Sequence, residues 1–381
     1  MTANSISNEY RAARIQKYLI DKRYDMNAYD EAVMELYQNY ISLLNKDFDV
    51  VSNKQKLINH LKDTSLDKQR LSFDEDKRFI WGLKPTSEKI EKLLSSLKIQ
   101  KLFIEDTFLR SIVNVPQKDT VDNNNYLYSC GYSFDDLTMY YDSTRPSRME
   151  LTLNSDFEVP KSEIERCRKL IKKIISNKIS KYNNQPIYKP NFGRPNRKKV
   201  LVIDQSYKDY SILKGGADDN TFKLMLDSAI KENPDCDILI KTHPDAIGKA
   251  SKKPVCYYQG VKEAENIFRI TDFINPISMI EYVDKVYVCS SQFGFEALMC
   301  GKEVHTFGLP FYANWGLTTD NQKLPRRTRK RTLEEIFYIT YIMFSVYVNP
   351  KTNQPCEIEE AIDYLLELRE EYFKEYNVRN E

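Results

Sequence analysis

Four short apolar runs in this chain each end in side chains able to hold or move charge. Leu102-Phe103-Ile104 leads into Glu105-Asp106, and Val200 to Ile203 leads into Asp204-Gln205 and then Asp209. Ile238 to Ile240 leads into Lys241-Thr242-His243-Pro244-Asp245, and Val286 to Val288 into Ser290-Ser291-Gln292. Adjacent carboxylates ending an apolar strand are suited to catalysis or to contact with an acceptor. A lysine and a histidine beside two serines at a helix start are the types that hold a phosphate. Charge-assisted hydrogen bonds are worth about 1.5–3 kcal/mol, and a helix start adds free N–H groups and a favourable dipole. Each group also has a plain structural use: the serines as helix caps, His243 as a hydrogen-bonded core residue, Glu105 and Asp106 as surface acids. Their shared place after strands favours a site, because ligands of open α/β sheets bind at the carboxyl ends.

Strands and helices must alternate to put these groups there. Residues 1–74 read as helices with charged faces; Ala28 to Leu44 carries Ala32, Val33, Leu36, Tyr37, Tyr40 and Leu43 at helical spacing. From Arg78, Phe79-Ile80-Trp81 and Leu102-Phe103-Ile104 are strand-like, with a helix from Ser87 to Leu97 between them. A helix over Lys161 to Ile179 precedes a Pro/Asn/Gly/Arg-rich stretch, Asn183 to Lys199, the natural linker. Beyond it the spacing predicts strands at 200–203, 238–240, 286–288 and 304–307, with a further short one near 255–258. Helices fall at 221–231, 277–282 and 294–299. Continuous apolar strands belong to a parallel sheet covered on both faces. Thr332-Leu333-Glu334-Glu335 has capping-box form and predicts a helix through Val346. The fold class is therefore α/β, with two Rossmann-type halves (75–195 and 196–345) of GT-B-like organisation. An N-terminal helical extension (1–74) precedes them and a C-terminal helical segment (346–381) follows.

Composition narrows the field. The 381 residues are 41% hydrophobic and 29% charged, and Lys+Arg 57 against Asp+Glu 55 gives a net charge of +2. No global field draws such a chain to nucleic acid or anionic lipid. Seven scattered cysteines without a CxxC pair, together with three histidines, argue for reduced buried thiols and against structural zinc. The N-terminus carries no signal-peptide pattern, and the uncharged apolar run 336–348 is too short to span a bilayer. Two features mimic sites. Asp235-Cys236-Asp237 has metal-binding DxD spacing but opens a strand, at the wrong end of the sheet, and reads as a turn. The basic run 325–331 has no aromatic interleaving for nucleic acid; it reads as a contact for an anionic sugar, a lipid-linked acceptor or membrane phosphates, or else as a solvated loop.

Several motifs recur in an order similar to that of bacterial capsule-polysaccharide β-Kdo transferases. They are Phe79-Ile80-Trp81-Gly82, Glu105 to Ser111, Tyr140 to Ser147, Ser180 to Asn183, Asp204-Gln205 with Asp209, Lys241 to Asp245, Ser291 to Leu298, Phe311 to Thr318 and Arg326 to Arg329. The resemblance covers roughly residues 78 to 350. Thr107 and Asn314 stand where the family has Gly, and residues 1–74 lie outside the pattern. The His-Pro and Ser-Ser elements also resemble those of bacterial sialyltransferases.

The resemblance implies a CMP-β-Kdo donor bound by the 196–345 half, an acceptor on the 75–195 half, and retained configuration. Donor contacts are then expected from Lys241, His243, Pro244, Ser290, Ser291, Gln205 and Arg145, with Gln292 and Glu296 on cytidine or ribose. Asp209 is the expected nucleophile, Asp204 orients its loop, and Glu105 or Asp106 is the base for the acceptor. Arg110, Arg326, Arg327 and Arg329 are expected on the acceptor, a saccharide or lipid-linked glycan. No metal and no other cofactor is expected, nor a nucleic-acid partner; the location is expected to be cytoplasmic, with peripheral contact to the inner membrane or a capsule complex. Another CMP-activated ulosonic acid as donor, or a non-catalytic capsule scaffold, remains open from the sequence.

Overall fold

The computed structural model describes residues 77–83, 87, 91–92, 95, 100–113, 124–247, 254–349, 351 and 354–380. The extension 1–74 lies outside them, as does most of the helix expected at 87–97. Of that helix, Ser87, Glu91, Lys92 and Ser95 are described and are helical.

The second half is built on a parallel six-stranded sheet. Its strands are β4 (Lys199–Ile203), β5 (Asp237–Lys241), β6 (Ile267–Ile270), β7 (Lys285–Val288), β8 (Glu303–Thr306) and β9 (Thr319–Asp320), in the order β6-β5-β4-β7-β8-β9. The centre of β4, Val200 to Val202, is at most 1% exposed, since both faces are covered. Val200, Val202, Ile238 and Ile240 pack with Phe222 and Met225, while Leu201 and Leu239 turn to the opposite face. The strand expected near 255–258 is a turn segment holding a single bridge, Ser206 to Cys256; the sixth strand is Ile267–Ile270 instead. Burial explains the miss: Ile267, Phe268 and Arg269 are only half-buried at the sheet edge, so the sequence there lacks a continuous apolar run.

The first half holds a mixed sheet rather than an all-parallel one. β1 (Lys77–Trp81) and β2 (Gln100–Asp106) are parallel, and β3 (Gly131–Asp135) runs antiparallel to β2. The sheet is completed from the far end of the chain by β10 (Ser345–Asn349) and β11 (Gln354–Cys356). The helix expected to run from 332 through 346 is therefore short, Leu333–Phe337, capped by Thr332 as expected. It passes into a π-helical turn, Tyr338–Met343, before becoming β10. The C-terminal segment likewise opens with strands, and its helix spans Ile358–Glu375.

One apolar core runs through both halves. Phe108 of the first half stacks on Tyr341 with ring centroids 4.6 Å apart and meets Phe311 at 4.8 Å, and Phe311 meets Phe295 at 5.2 Å. Such pairs contribute about 0.5–1.5 kcal/mol each beyond the area they bury. The two departures from family glycines both have a structural basis. Asn314 takes the left-handed conformation a glycine would supply, φ 66°, and its amide nitrogen donates to the Gln322 carbonyl. Thr107 is fully buried and bonded to Ser133 and Ser345, and Gly131 makes room for it: a Cβ there would lie 2.4 Å from its methyl group.

Candidate active site

The loop after β4 gathers the second half's polar groups. Asp204 is 1% exposed, and its carboxylate accepts the N–H groups of Gln205, Tyr257 and Tyr258 at 2.9–3.1 Å. It braces the loop against the 255–258 segment, as expected, and is not available as a nucleophile. The next two residues point to opposite neighbours. Gln205 exchanges hydrogen bonds with Ser290 (its Oε1 with the backbone N–H at 3.1 Å, its Nε2 with Oγ at 3.3 Å), while Ser206 Oγ lies 3.1 Å from His243 Nδ1. The ends of β7, β4 and β5 thus form one polar row: Ser290, Gln205, Ser206, His243. Ser206 was not singled out in the sequence, although it stands between two residues that matter.

Ser291 has a capping use as well: its Oγ accepts the Phe293 N–H and its carbonyl the Tyr312 hydroxyl. Lys241 is buried at the end of β5, donates to the Thr242 carbonyl at 3.1 Å, and is pushed down to about 8 by burial. Pro244 opens a short 3-10 turn that fixes the chain after His243.

Asp209 caps a short helix, Tyr210–Lys214. One of its oxygens, Oδ1, accepts both the N–H and the hydroxyl of Ser211, at 2.8 and 2.7 Å. The residue is exposed, and its Oδ2 has no hydrogen bond among the described residues. The first half grips the other end of this helix. Ser143 donates its N–H and its hydroxyl to the Lys214 carbonyl, at 2.8 and 2.7 Å. Two residues earlier, Tyr141 accepts the Leu83 N–H at 3.1 Å and borders Glu105. Gly82 makes this approach possible: at φ 57°, a Cβ there would sit 2.6 Å from Glu105 Oε2 and 3.3 Å from the Tyr141 hydroxyl. Burial first, then the charges of Glu105 and, less strongly, Asp209, hold the Tyr141 phenol well above its usual range. Tyr141 therefore borders the Glu105 carboxylate and feels the charge of Asp209 more weakly, a place the sequence did not disclose.

Several expected contacts are redirected by ion pairing. Asp106 forms a 2.6 Å ion pair with Arg110, which is 5% exposed and also donates to Ser111. That pairing occupies Asp106 and turns Arg110 away from the acceptor role expected of it. Arg145, expected on the donor, is held by Glu91 through two hydrogen bonds (2.6 and 2.9 Å) and by Asp142. Gln292 and Glu296 face the first half instead of a nucleoside. Gln292 donates to the Phe108 carbonyl at 2.8 Å, and burial pushes Glu296 up to about 8, although Lys181 and Gln292 oppose it.

The basic run is a clasp. Arg326 and Arg327 both grip Glu150, Arg327 at 2.7 Å with its side chain 2% exposed. Arg331 donates to the carbonyl of Leu153 in the last turn of the helix Arg148–Asn154 and to those of Ser155 and Phe157 just beyond it. Neither reading from the sequence, ligand patch or solvated loop, describes these three. Arg329 and Lys330 are exposed and have neither a hydrogen bond nor an ion pair among the described residues. The DxD mimic is structural too: Asp237, fully buried, holds the linker's Arg194 through its N–H and its guanidinium.

The described residues include no helix long and apolar enough to cross a membrane. Among relatives, the chain is 37% identical to the capsule polysaccharide modification protein LipA of Neisseria meningitidis over 295 residues, 75% of this chain and 40% of LipA. It is 34% identical to the lipopolysaccharide-processing protein LpsZ of Rhizobium meliloti, over 74% of this chain and 62% of LpsZ. The chain thus spans about two fifths of the length of LipA. Two solved structures of Thermosulfurimonas dismutans KpsC share the fold. The β-Kdo 2,4 transferase matches at 36% identity and TM-score 0.69, over 76% of this chain and 86% of that one. The β-Kdo 2,7 transferase matches at 25% and 0.58, over 81% and 89%. The family model described as "Capsule polysaccharide biosynthesis protein" matches residues 78–351, so the chain belongs to the capsule polysaccharide biosynthesis protein family.

Proposed function

We propose that the chain is a retaining β-Kdo transferase of capsule synthesis, moving Kdo from CMP-β-Kdo to a saccharide or glycolipid acceptor. Its likeness to the two KpsC transferases supports the reaction class. The observation that carries the mechanism is Asp209, exposed, with one oxygen anchored by Ser211 and the other without a hydrogen bond among the described residues. In the first step Asp209 Oδ2 attacks the anomeric carbon of Kdo, the bond to the phosphate oxygen breaks, and its electron pair leaves with CMP. Lys241, His243, Ser290 and Ser291 receive that phosphate. In the second step Glu105 takes the proton of the acceptor hydroxyl, whose oxygen attacks the same carbon and returns the pair to Asp209. Two inversions retain configuration.

No metal is assigned to this step, because side-chain cations and helix-start N–H groups stand where the phosphate arrives. Undiminished turnover in EDTA is the expected outcome. The deciding test is intact-protein mass spectrometry with CMP-Kdo and no acceptor. One added Kdo on the peptide holding Asp209 is expected; an adduct elsewhere, or none in an enzyme that turns over, would falsify the mechanism. Turnover with CMP-sialic acid in preference to CMP-Kdo would replace the donor.

A further inference from the structure

Five ionisable side chains converge where the loop after β2, the Ser180–Asn183 segment and the helix Phe293–Met299 meet. Arg110 and Asp106 neutralise each other at 2.6 Å. Glu296 is kept protonated at neutral pH by burial and takes the backbone N–H of Lys181. Glu105 accepts the Asp106 N–H at 3.1 Å and stands beside Tyr141. The fifth is Lys181. It is half-buried, its carbonyl accepts the Ser111 N–H at 3.4 Å, and its Nζ lies 5.7 Å from the centre of the Tyr182 ring. The Arg110 guanidinium sits 5.5 Å from the same ring.

The Lys181 ammonium has neither a hydrogen bond nor an ion pair among the described residues. Burial works against its charge, yet Tyr182, Tyr140, Asp106 and Glu105 together hold it firmly protonated. A half-buried ammonium that lies against a ring but donates no hydrogen bond keeps its N–H donors for a ligand. The ligand it fits is an anion entering beside Glu105, on the wall opposite the phosphate row.

Resting on the transferase reading, we propose that Lys181 receives the carboxylate of an acidic sugar and so selects for ulosonic acids. The shared chemistry is that carboxylate; the transferred sugar and an acidic acceptor are its two sources. Neither Arg110 nor Arg145 can substitute, since each is already paired with protein carboxylates.

The test measures binding in an Asp209→Asn background, which halts transfer, with Lys181 intact or changed to Gln or Arg. The probes are CMP, intact CMP-Kdo, and a Kdo-terminated acceptor glycan with its methyl ester. Lys181→Gln should leave CMP affinity within about twofold and weaken a carboxylate ligand about 10–100-fold, with Lys181→Arg recovering much of it. Loss confined to CMP-Kdo assigns the contact to the transferred sugar. Loss confined to the acceptor, with the methyl ester equally weak on the intact lysine, assigns it to the acceptor. Unchanged affinity for both carboxylate ligands overturns the proposal alone. An intact chain that binds no CMP overturns the transferase reading, and this proposal with it.

Discussion

In the second half every strand is parallel and the polar side chains gather where strands end. In the first, parallel β1 and β2 meet antiparallel β3 and β10, and the polar side chains gather in loops that face the other half. The second half's groups hold one another in a row through hydrogen bonds. Many of the first half's charges are spent on ion pairs, and the Lys181 ammonium, which has none among the described residues, stands out by that contrast. The difference teaches that residue type at a strand end marks a site only after its ion-pair partners have been counted.

The comparison breaks most sharply at the two aspartates of the β4 loop. Asp209→Asn should lower transfer by about 10³-fold or more while CMP affinity stays within about twofold. Asp204→Asn should instead loosen the loop and weaken CMP binding. Transfer surviving in Asp209→Asn would erase the distinction between the exposed and the buried acid. Next in size is the clasp: Glu150→Ala leaves Arg326 and Arg327 without their carboxylate, and removing one partner of a buried pair costs about 3–5 kcal/mol. Urea unfolding reads this directly; a change below about 1 kcal/mol would return the arginines to the ligand.

The phosphate row is sharpened by His243→Ala, which should weaken CMP binding about tenfold without moving the melting temperature. Equal CMP affinity by calorimetry would remove His243 from the row. The smallest effect concerns Glu296. Its carboxyl is raised from 4.5 to about 8 in the fold, so between those pH values the native state binds a proton that the unfolded chain has lost. Stability should therefore fall as pH rises through that window. Glu296→Gln should flatten the fall in melts compared at pH 5.5 and 8.5, and an unchanged slope would contradict a buried, protonated Glu296.

The parallel sheet was legible because its central strands are apolar on both faces. β6 was not, since Phe268 and Arg269 lie at an edge and are half-buried. The polar row was legible as residue types at strand ends, including Gln205, His243 and Ser290. Lys181 and Tyr141 were visible only as members of motifs, because their meaning depends on what fails to pair with one and what surrounds the other. The arginine run misled for the opposite reason: its partners, Glu150 and the carbonyls at the end of the helix Arg148–Asn154, lie far away in sequence. The same distance hid β10, whose pairing partner is β3.

That pairing governs how the molecule must be made. During synthesis β1, β2 and β3 leave the ribosome early, but the strand that covers β3 appears only after the entire second half, on the order of ten seconds or more later. Until then the first sheet exposes the unpaired edge of β3, an open template for wrong partners. The second half, whose six strands are contiguous in the chain, is able to close first and serve as the surface on which the first half is finished. A cut at the linker would accordingly release a second half that still carries the missing strands, and a first half that cannot complete its sheet.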